Sequence, residues 1–449
     1  MTGTAAGVGS AGEAGSAAGV ARAGEAGSAG GAGEARDRRR RVAVIGGGIV
    51  GVCSALCLQR DGFQVTLIER DGLGTGASFG NGAMIGEESV VPVATPGILG
   101  RVPGMLFDPL GPLALRWSYL PRLTPWLLRF VAASRPARVE EISIALMHLL
   151  DGALASCEGL LELADAKEML RRSGWLAVFE TERGLADYQA MLDLQRRRGV
   201  RFDVLETGQL RQFEPALAPI FARGIYYPDV GYTVNSQRLV EVLGGAFQRL
   251  GGKLEIAEAR GFEIGPDGPR AVATDTGGVP CEAVVIAAGA WSKPLAVELG
   301  SNPPLDTERG YHVQFPEPGV VPRLPVYSIE RAFVASPLEV GLRVAGTVEL
   351  GGLAAAPNWD RAEVLLGHAK RWFPGLETGG MTRWMGFRPS MPDSLPVIGR
   401  SPRFSNVVFA FGHGHCGMML GARTGEIVAS LLADRDPGLD MSPYRVTRF

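Results

Sequence analysis

The chain has 449 residues, of which 46% are hydrophobic and 20% are charged, a length that suits two domains better than one. A formal net charge of −2 argues against nucleic acid as the main partner. Five cysteines are few, and the four-residue spacing of Cys53 and Cys57 does not form a redox turn, so buried apolar positions suit both.

Residues 1–36 consist of Ala, Gly, Ser and Glu with almost no large side chains. Such a segment buries too little surface to offset its ordering entropy, so we expect a disordered tail. The basic run at 36–41 precedes an apolar stretch as in an export signal, but a first strand explains that stretch, and we do not expect export. No uncharged apolar run reaches about 18 residues, so no membrane-spanning helix is expected.

The segment 42–70 predicts a dinucleotide-binding unit: an apolar strand, a G-x-G-x-x-G turn, an apolar helix and a second strand that ends in an acid. Glycines let the backbone approach a pyrophosphate, and a helix N-terminus favours negative charge. An acid after the second strand accepts ribose hydroxyls. A glycine-rich helix start that binds nothing would leave this spacing unexplained. The predicted contacts are Gly46, Gly48, Ile49, Val50, Gly51, Glu69 and Arg70.

The segment DGLGTGASFGNGAMIG, which starts at Asp71, follows the second strand and is rich in glycine and small polar groups. It resembles a loop of the D-amino-acid oxidase/glycine oxidase superfamily, the glutathione-reductase-type FAD proteins with amine substrates. In that family the loop runs past the pyrophosphate and under the isoalloxazine, so the resemblance implies FAD as the cofactor. A loose glycine loop is the alternative when the segment is taken alone. The positions carried over are Ser78, Asn81, Gly82, Ala83 and Met84.

Residues 228–300 extend the resemblance through an exposed turn, an amphipathic helix and a buried strand that runs into AAGAWS. In the family, backbone groups near Arg260 hold the adenine. The glycine turn after the buried strand closes the nucleotide domain there, which implies that Ala288, Gly289 and Trp291 lie near the pyrophosphate or ribitol.

The C-terminal region is the most family-specific. Residues 384–401, WMGFRPSMPDSLPVIGRS, resemble the G-x-R-P-x-x-P-D-x-x-P-x-I-G signature of D-amino-acid dehydrogenases. A G-H-G-x-x-G motif then precedes the last helix, whose positive end would face the flavin N1–C2=O edge. We expect non-covalent FAD, because relatives with covalent flavin attach it through a different stretch. We expect no metal site, because the two histidines lie in a glycine loop with no acidic or cysteine partner close in sequence. The flavin-loop positions are Gly412, His413, Gly414, His415, Cys416 and Gly417.

The resemblance implies an α/β fold with a glutathione-reductase-type FAD-binding Rossmann-like domain and an inserted α+β antiparallel-sheet substrate domain. The FAD-binding domain would comprise 42–90, 228–300 and 386–445. The substrate domain would comprise 91–227 and 301–385, and its sheet would cap the flavin. The active site would then lie where the two domains meet.

The chemistry requires a neutral substrate amine, so no strong side-chain base is needed, but the substrate carboxylate needs a cationic clamp. Arg388 is the first candidate because a guanidinium binds a carboxylate through two parallel hydrogen bonds. A structural ion pair is its alternative role. Arg331 and Arg343, on predicted substrate-domain strands, are further candidates for the clamp.

Three other residues are candidates for contact with substrate. Tyr311 would bond the substrate carboxylate, and His312 would take the amine proton. For both, a packed and hydrogen-bonded interior ring is the alternative. Glu349 would contact a second substrate amine, or else pair with an arginine.

The resemblance implies oxidation of a D- or secondary amino acid to the imino acid, with hydride transfer to flavin N5. Sarcosine-oxidase-like relatives place a lysine in the region where this chain has Cys416, which favours a dehydrogenase that passes electrons to a quinone or an electron-transfer partner. The alternatives are an oxidase that produces hydrogen peroxide and a non-catalytic flavin subunit that relays electrons.

The stretch 113–135 combines aromatic and basic side chains, as a membrane surface favours. A helix packed on the substrate domain explains the same composition. We expect a cytoplasmic protein, with peripheral contact to the inner face of the membrane as the second hypothesis. The residues concerned are Arg116, Trp117, Tyr119, Arg122, Trp126, Arg129 and Phe130.

Overall fold

The computed structural model describes residues 40–108 and 111–449. The strands in chain order are β1 (Arg41–Ile45), β2 (Gln64–Glu69), β3 (Met84–Ile85), β4 (Leu113–Leu115), β5 (Leu170–Arg171), β6 (Trp175–Phe179), β7 (Asp203–Glu206), β8 (Arg223–Tyr227), β9 (Gly231–Thr233), β10 (Lys253–Ile256), β11 (Ala259–Gly265), β12 (Gly268–Thr274), β13 (Gly277–Pro280), β14 (Ala283–Ile286), β15 (Asp306–Phe315), β16 (Val326–Ser328), β17 (Phe333–Leu338), β18 (Gly341–Leu350), β19 (Thr382–Ser390), β20 (Val397–Arg400) and β21 (Val407–Phe411). The helices are α1 (Ile49–Arg60), α2 (Ile98–Phe107), α3 (Leu120–Ala133), α4 (Pro136–Leu150), α5 (Ala153–Leu163), α6 (Glu182–Arg197), α7 (Thr207–Phe213), α8 (Ser236–Arg249), α9 (Ser292–Glu298), α10 (Asp360–Trp372) and α11 (Gly417–Leu432).

The first sheet carries the predicted nucleotide unit. It has six strands in the order β10-β2-β1-β14-β21-β20, parallel except for the β20–β21 pair. Residues 42–45 of β1 and the whole of β14 are buried, as expected for a parallel sheet covered on both faces. Helices α1, α8 and α11 contribute to the core on one face. The predicted strand–helix–strand order of residues 42–69 is thereby confirmed.

The second sheet has nine strands, with the order β19-β15-β18-β17-β16-β6-β8-β7 and β4 beside β18. Most neighbouring pairs are antiparallel, as predicted for 301–385, but β16 pairs with β6 in parallel. Side chains of α10 pack with β15, β17 and β18 in a core around Trp372 and Phe373. The sheet is therefore covered by a helix on one face and is free to build a site on the other.

Two three-stranded sheets were not predicted. One has the order β11-β12-β13 and the other β3-β9-β5. In the second, Met84 pairs with Tyr232 and Ile85 with Gly231, which ties the end of the glycine-rich loop to residues far along the chain. Strands of two residues, such as β3 and β5, are too short to show the alternation of apolar and polar residues by which a strand is predicted.

The stretch Pro136–Leu163 is long and apolar enough to span a membrane by length and composition alone. Half of its apolar 18-residue segment, however, is buried inside the protein. The stretch consists of α4 and α5, which are separated at Gly152 by a left-handed backbone with φ of 73°. Leu146, Leu149 and Leu150 of α4 contribute to a buried core. A core helix pair passes the same test, so this finding is weak support for a membrane span.

All the sheets belong to one compact unit. The division of this unit into an FAD-binding domain and a substrate domain therefore stays a prediction. The prediction of disorder for 1–36 lies outside the described residues.

The chain's last residues are anchored by a buried ion pair. Arg448 Nε lies 2.8 Å from Asp393 Oδ2, and the two side chains are 6% and 4% exposed. Arg448 Nη2 also donates to the carbonyl of Leu395 at 2.6 Å. Asp393 is the acid of the 384–401 segment, so the C-terminus holds that segment in place.

Replacing Arg448 with methionine should destabilise the fold, because it leaves the Asp393 carboxylate buried without its cation. Breaking such a pair costs about 3–5 kcal/mol. We expect the melting temperature to fall by several degrees in a thermal scan. Arg445→Met, at an exposed neighbouring position, is the control and should leave the melting temperature nearly unchanged. Equal melting temperatures for the two variants would contradict the role given to Arg448.

Candidate active site

A cavity of about 1000 Å³ lies where the ends of β1, β2 and β14 meet the face of the second sheet. Its wall also includes the glycine-rich loop after β2, the start of β11, the middle of β18 and β19, and the segment that leads into α11. Such a concave site at the carboxyl ends of parallel strands is the usual place for a nucleotide cofactor.

Two glycines allow β1 and α1 to approach closely. A side chain on Gly51 would overlap the carbonyl oxygen of Gly46, so helix and strand could not pack. Gly46 has φ of 111°, and a side chain there would overlap the carbonyl of Ala287. The turn therefore requires glycine at both positions, and it brings the N-terminus of α1 to the cavity wall.

The start of α1 is bound by side chains from neighbouring segments. Ser78 Oγ accepts a hydrogen bond from Ile49 N at 3.0 Å. The Glu69 carboxylate accepts from Gly47 N at 2.5 Å and from Asp71 N at 2.9 Å. Gly48, the N-cap, supplies no capping side chain, which leaves room at the helix terminus. These groups fit a diphosphate with a ribose beside it.

The far end of the cavity is built by the chain that follows β10. Ala257 N donates to the carbonyl of Glu69 at 2.9 Å, so 257–260 run beside the end of β2. The guanidinium of Arg70 lies 4.7 Å from the ring centre of Trp291. Trp291 in turn makes an edge contact with Phe387 at 5.4 Å. This end thus offers backbone groups and flat side chains to an adenine or ribitol.

The glycine-rich loop is held against the second sheet by Arg343 and Trp384. Arg343 Nη1 donates to the carbonyls of Phe79 and Asn81 at 2.6 and 3.2 Å. A side chain on Gly80 would overlap the Trp384 ring. Arg343 is therefore an anchor for the loop, and it does not line the cavity as a substrate clamp would.

Glu308 joins the second sheet to the segment before α11. His415 Nε2 lies 3.1 Å from Glu308 Oε2, and Ser390 Oγ donates to Glu308 Oε1 at 2.7 Å. Burial raises the pKa of Glu308, but these two partners and the charge of Arg388 outweigh burial and hold it at about 2. The carboxylate is therefore charged at neutral pH.

Arg388 lies on the cavity wall beside this carboxylate. Its guanidinium lies against Gly310, where any side chain would overlap it, and Nη1 donates to the carbonyl of Thr347 at 3.1 Å. Burial lowers the pKa of Arg388, and the charge of Glu308 opposes that effect. The arginine is thus a partly shielded cation that faces the cavity.

A β-bulge shapes the wall next to Arg388. Between Arg309 and Tyr311 the register of β15 against β18 shifts, so that Thr347 and Val348 stand opposite Gly310 alone. Thr347 has φ of 56°, a strained value for a residue with a β-branched side chain. Bulges aim side chains and carbonyls away from the regular ladder. Here the bulge turns the Thr347 carbonyl toward the clamp.

Tyr311 and Glu349 are corrected as substrate ligands, because neither reaches the cavity. The Tyr311 hydroxyl donates to Glu349 Oε2 at 2.5 Å, and Arg116 Nε lies 2.6 Å from Glu349 Oε1. Arg309, fully buried, donates to the carbonyls of Gly352 and Ala356. These four side chains fasten the loop after β18.

His312 is corrected as a proton acceptor. Its ring stacks on Trp384 with centres 5.1 Å apart and is 2% exposed. Burial lowers its pKa to about 3, with a further effect from Arg343. Arg331 pairs with Asp108 at 3.3 Å and does not line the cavity. The packed interior ring, the alternative for His312, is what the structure places here.

The flavin-loop histidines differ in their surroundings. His413 is buried, its Nε2 lies 3.0 Å from Thr424 Oγ1, and burial lowers its pKa to about 3. His415 is half-exposed beside Glu308. Burial, and to a lesser extent the charge of Glu88, raises the pKa of Cys416 to about 12, so its thiol is neutral. Within 40–108 and 111–449 no cluster of potential metal ligands occurs.

Most of the positions predicted from sequence come together at the cavity, and their contacts with FAD stay a prediction. Those that line it are Gly46, Gly48, Ile49, Val50, Glu69, Arg70, Ser78, Asn81, Gly82, Met84, Arg260, Ala288, Gly289, Trp291, Arg388, His413, Gly414, His415, Cys416 and Gly417. Gly51, Ala83 and Gly412 lie behind the wall, where they shape the backbone.

Sequence reasoning missed part of the wall. Glu88, Trp175, Tyr327 and Thr347 all line the cavity. Only Glu88 had a signal, as an acid directly after the glycine-rich loop. The other three come from strands whose place beside the loop depends on tertiary pairing.

The chain matches the profile of the FAD dependent oxidoreductase family DAO over residues 41–431. It is 42% identical over 417 residues to a D-amino-acid oxidase of Bradyrhizobium diazoefficiens, which covers 91% of this chain and 99% of that protein. It is 32% identical over 431 residues to D-amino acid dehydrogenase 2 of Ralstonia nicotianae, covering 91% and 100%. The chain therefore belongs to this family of FAD-dependent oxidoreductases.

A solved structure supports the fold. Glycine oxidase from Geobacillus kaustophilus superimposes with a TM-score of 0.68 at 24% identity, over 91% of this chain and 99% of that one. The predicted fold class is confirmed, and the protein is an enzyme that uses FAD. The cradle at Gly46 and Gly51, the open helix terminus and Glu69 fit that cofactor.

Glu69→Ala should weaken FAD retention. The change removes the charged acceptor proposed for the ribose hydroxyls. It also removes the hydrogen bonds from Gly47 N and Asp71 N. A hydrogen bond to a charged group is worth roughly 1.5–3 kcal/mol. Flavin absorbance per protein after dialysis is the measurement. Glu255→Ala, on the adjacent strand β10, is the matched control and should keep its flavin. Full flavin content in the Glu69 variant would show that this carboxylate is not needed.

Proposed function

We propose that the enzyme oxidises a D- or secondary amino acid to the imino acid and passes the electrons to an acceptor other than oxygen. The observation that carries the proposal is the Arg388 guanidinium on the wall of a cavity that fits FAD. When bound, the flavin supplies at N5 the acceptor for the hydride that leaves the substrate's α-carbon. The names of the relatives point to the same substrate class.

Arg388 binds and orients the substrate carboxylate. One guanidinium edge is occupied by the Thr347 carbonyl, and the Glu308 carboxylate nearby offsets part of the charge. An arginine in this setting is held in one orientation, so its remaining donors form a fixed fork. A fixed carboxylate fixes the α-carbon in turn, and orientation of this kind lowers the barrier.

Proton transfer demands little of the protein, since the amine reacts as the neutral form. The buried rings of His312 and His413 are neutral at pH 7, because burial lowers the pKa of each to about 3. His415 is paired with Glu308. We therefore assign the loss of the amine proton to solvent before the substrate is enclosed.

The choice of a non-oxygen acceptor rests on the flavin loop. Its Cys416 thiol is neutral, where sarcosine-oxidase-like relatives have a lysine. The dehydrogenase of Ralstonia nicotianae supports this reading. The second candidate, a peroxide-forming oxidase, is favoured by the name of the 42% identical relative. A subunit that only relays electrons would have no use for Arg388.

The acceptor we propose is a quinone or an electron-transfer partner, met by a cytoplasmic enzyme at the inner face of the membrane. Phe107, Trp117 and Leu128 are 79%, 64% and 66% exposed, and Arg122 and Arg129 are exposed beside them. Apolar side chains next to arginines suit an anionic lipid surface. In contrast, Trp126 is buried and donates to the Ser390 carbonyl, so it serves packing.

Arg388→Lys should keep flavin but lower catalytic efficiency, because an ammonium cannot reproduce the fork. Losing one charge-assisted bond of roughly 1.5–3 kcal/mol predicts about a 10- to 100-fold fall in kcat/KM for D-amino acids. Anaerobic flavin bleaching measures the rate. An amine without the carboxylate is the control, and its oxidation should not change. A variant as efficient as the parent would remove Arg388 from the proposal.

The acceptor can be identified by reducing the enzyme anaerobically with a D-amino acid and then mixing it with one acceptor at a time. We expect rapid reoxidation by quinone in anionic vesicles and slow reoxidation by oxygen, with little peroxide. Rapid peroxide formation would establish the oxidase. Equal rates with anionic and neutral vesicles would contradict contact through the arginines. Failure of every amino acid to bleach the flavin would contradict the proposed function itself.

A further inference from the structure

A buried carboxylate lies on the cavity wall without a cation. Glu88 is 4% exposed and lines the cavity. Ser89 Oγ donates to its Oε1 at 3.1 Å, and Oε2 has no hydrogen-bond partner among the described residues. The Trp175 indole lies close enough to lower the pKa of the carboxyl group, against the effect of burial. Among the described residues, no lysine, arginine or histidine forms an ion pair with Glu88. Burial raises the pKa of Glu88, because the ionised form is costly there unless a ligand supplies the missing charge or donor.

Aromatic side chains surround this carboxylate. Trp175, Tyr188 and Tyr327 line the cavity with it, and the Trp175 and Tyr327 rings meet edge to face with centres 5.9 Å apart. Trp175 also stacks on Tyr227 at 4.6 Å, which fixes its plane. Aromatic faces attract cations, most strongly where water is excluded.

The carboxylate and the Arg388 clamp stand at different parts of one cavity. The charge of Arg388 acts on Tyr327, where it opposes the rise in pKa caused by burial. The charge of Glu88 acts on Cys416 of the flavin loop, where it adds to the rise in pKa caused by burial. Tyr327 therefore lies within range of the charge of Arg388, and its ring contacts Trp175, whose indole lies near Glu88.

Building on the proposed function, we propose that the enzyme selects amino acids with a cationic side chain, and that Glu88 binds the distal amine or guanidinium. The substrate carboxylate would lie on Arg388 and the distal cation on Glu88, with the aromatic rings along the aliphatic part of the side chain. The two charges of the cavity then match the two outer charges of a basic amino acid.

Selectivity follows from leaving a buried group unpaired. A neutral side chain of the same length would enter the cavity but leave Glu88 without a partner. A site built to pair with a polar group strongly rejects an analogue that lacks that group. An apolar pocket discriminates much less between two side chains that differ by one methylene. The preference should therefore be large even though the two side chains have nearly the same shape.

The first test needs no substitution. Anaerobic flavin bleaching by D-lysine is compared with bleaching by D-norleucine, which has the same carbon chain and the same α-amine but no distal amine. We expect kcat/KM to be about 10- to 100-fold higher for D-lysine, the value of one charge-assisted hydrogen bond. Equal values would overturn the inference while leaving amino-acid oxidation intact. Bleaching by neither would instead count against the proposed function.

The second test is Glu88→Gln, which keeps the shape of the side chain and removes its charge. We expect the D-lysine value to fall by about 10- to 100-fold and the D-norleucine value to stay within about threefold. Glu87→Gln is the matched control, because the neighbouring Glu87 accepts from Leu154 N at 3.4 Å and lies off the cavity wall. An equal loss for both substrates, or loss of flavin, would show that Glu88 serves the fold or the cofactor.

A binding measurement separates affinity from chemistry. The probe is 6-aminohexanoate, which has a carboxylate and a distal amine but no α-amine, and hexanoate is its neutral-tailed counterpart. We expect 6-aminohexanoate to perturb the flavin spectrum at about 10- to 100-fold lower concentration in the parent, and the two probes to become equivalent in Glu88→Gln. Equivalence already in the parent would overturn the cation subsite.

Discussion

The buried carboxylate of Glu308 is the interaction on which the site depends. Its strand, β15, belongs to the second sheet, whereas His415 leads into the last helix of the first sheet's core and Ser390 ends β19. Burial works against the charge, yet these partners and Arg388 hold the pKa of Glu308 at about 2. The carboxylate is therefore charged at neutral pH, and it joins the cavity wall built by β19 to the glycine-rich segment before α11.

Glu308 also explains how a cation can be kept on the cavity wall. An isolated buried guanidinium would be costly, and burial does lower the pKa of Arg388. A carboxylate behind it and the Thr347 carbonyl beside it offset part of that cost without occupying the side that faces the cavity. Glu88 has no such compensation among the described residues. The cavity thus has a cation with a counter-charge behind it and a carboxyl group, Glu88, whose pKa burial raises and which has no counter-charge in the described part of the chain. In the proposed function, a cationic substrate has most to gain at Glu88.

Much of the fold could be predicted because its long elements carry their own signals. The glycines at 46 and 51 are required by close approach, and β1, β14 and β21 are continuous apolar runs, as strands covered on both faces must be. The short strands β3 and β5 could not be predicted, because they exist only through pairing with β9. The parallel pairing of β16 with β6 joins residues about 150 positions apart, and nothing local encodes it.

The errors at the site have one physical cause, which is the alternation of side chains along β15. Consecutive residues of a strand point to opposite faces, so Tyr311 and His312 could not both reach the flavin. Gly310 is the β15 residue that lines the cavity, and Glu308 lies on the same face of the strand. Tyr311 points away to Glu349 and the loop after β18. His312 does share the cavity face, but the glycine-rich loop and Trp384 cover it. Where the strand lines the cavity it has a glycine, Gly310, because the guanidinium of Arg388 from the next strand occupies the space that a side chain would need. Gly310, which has no side chain, therefore makes room for the Arg388 guanidinium. A search of β15 for reactive side chains does not find this residue.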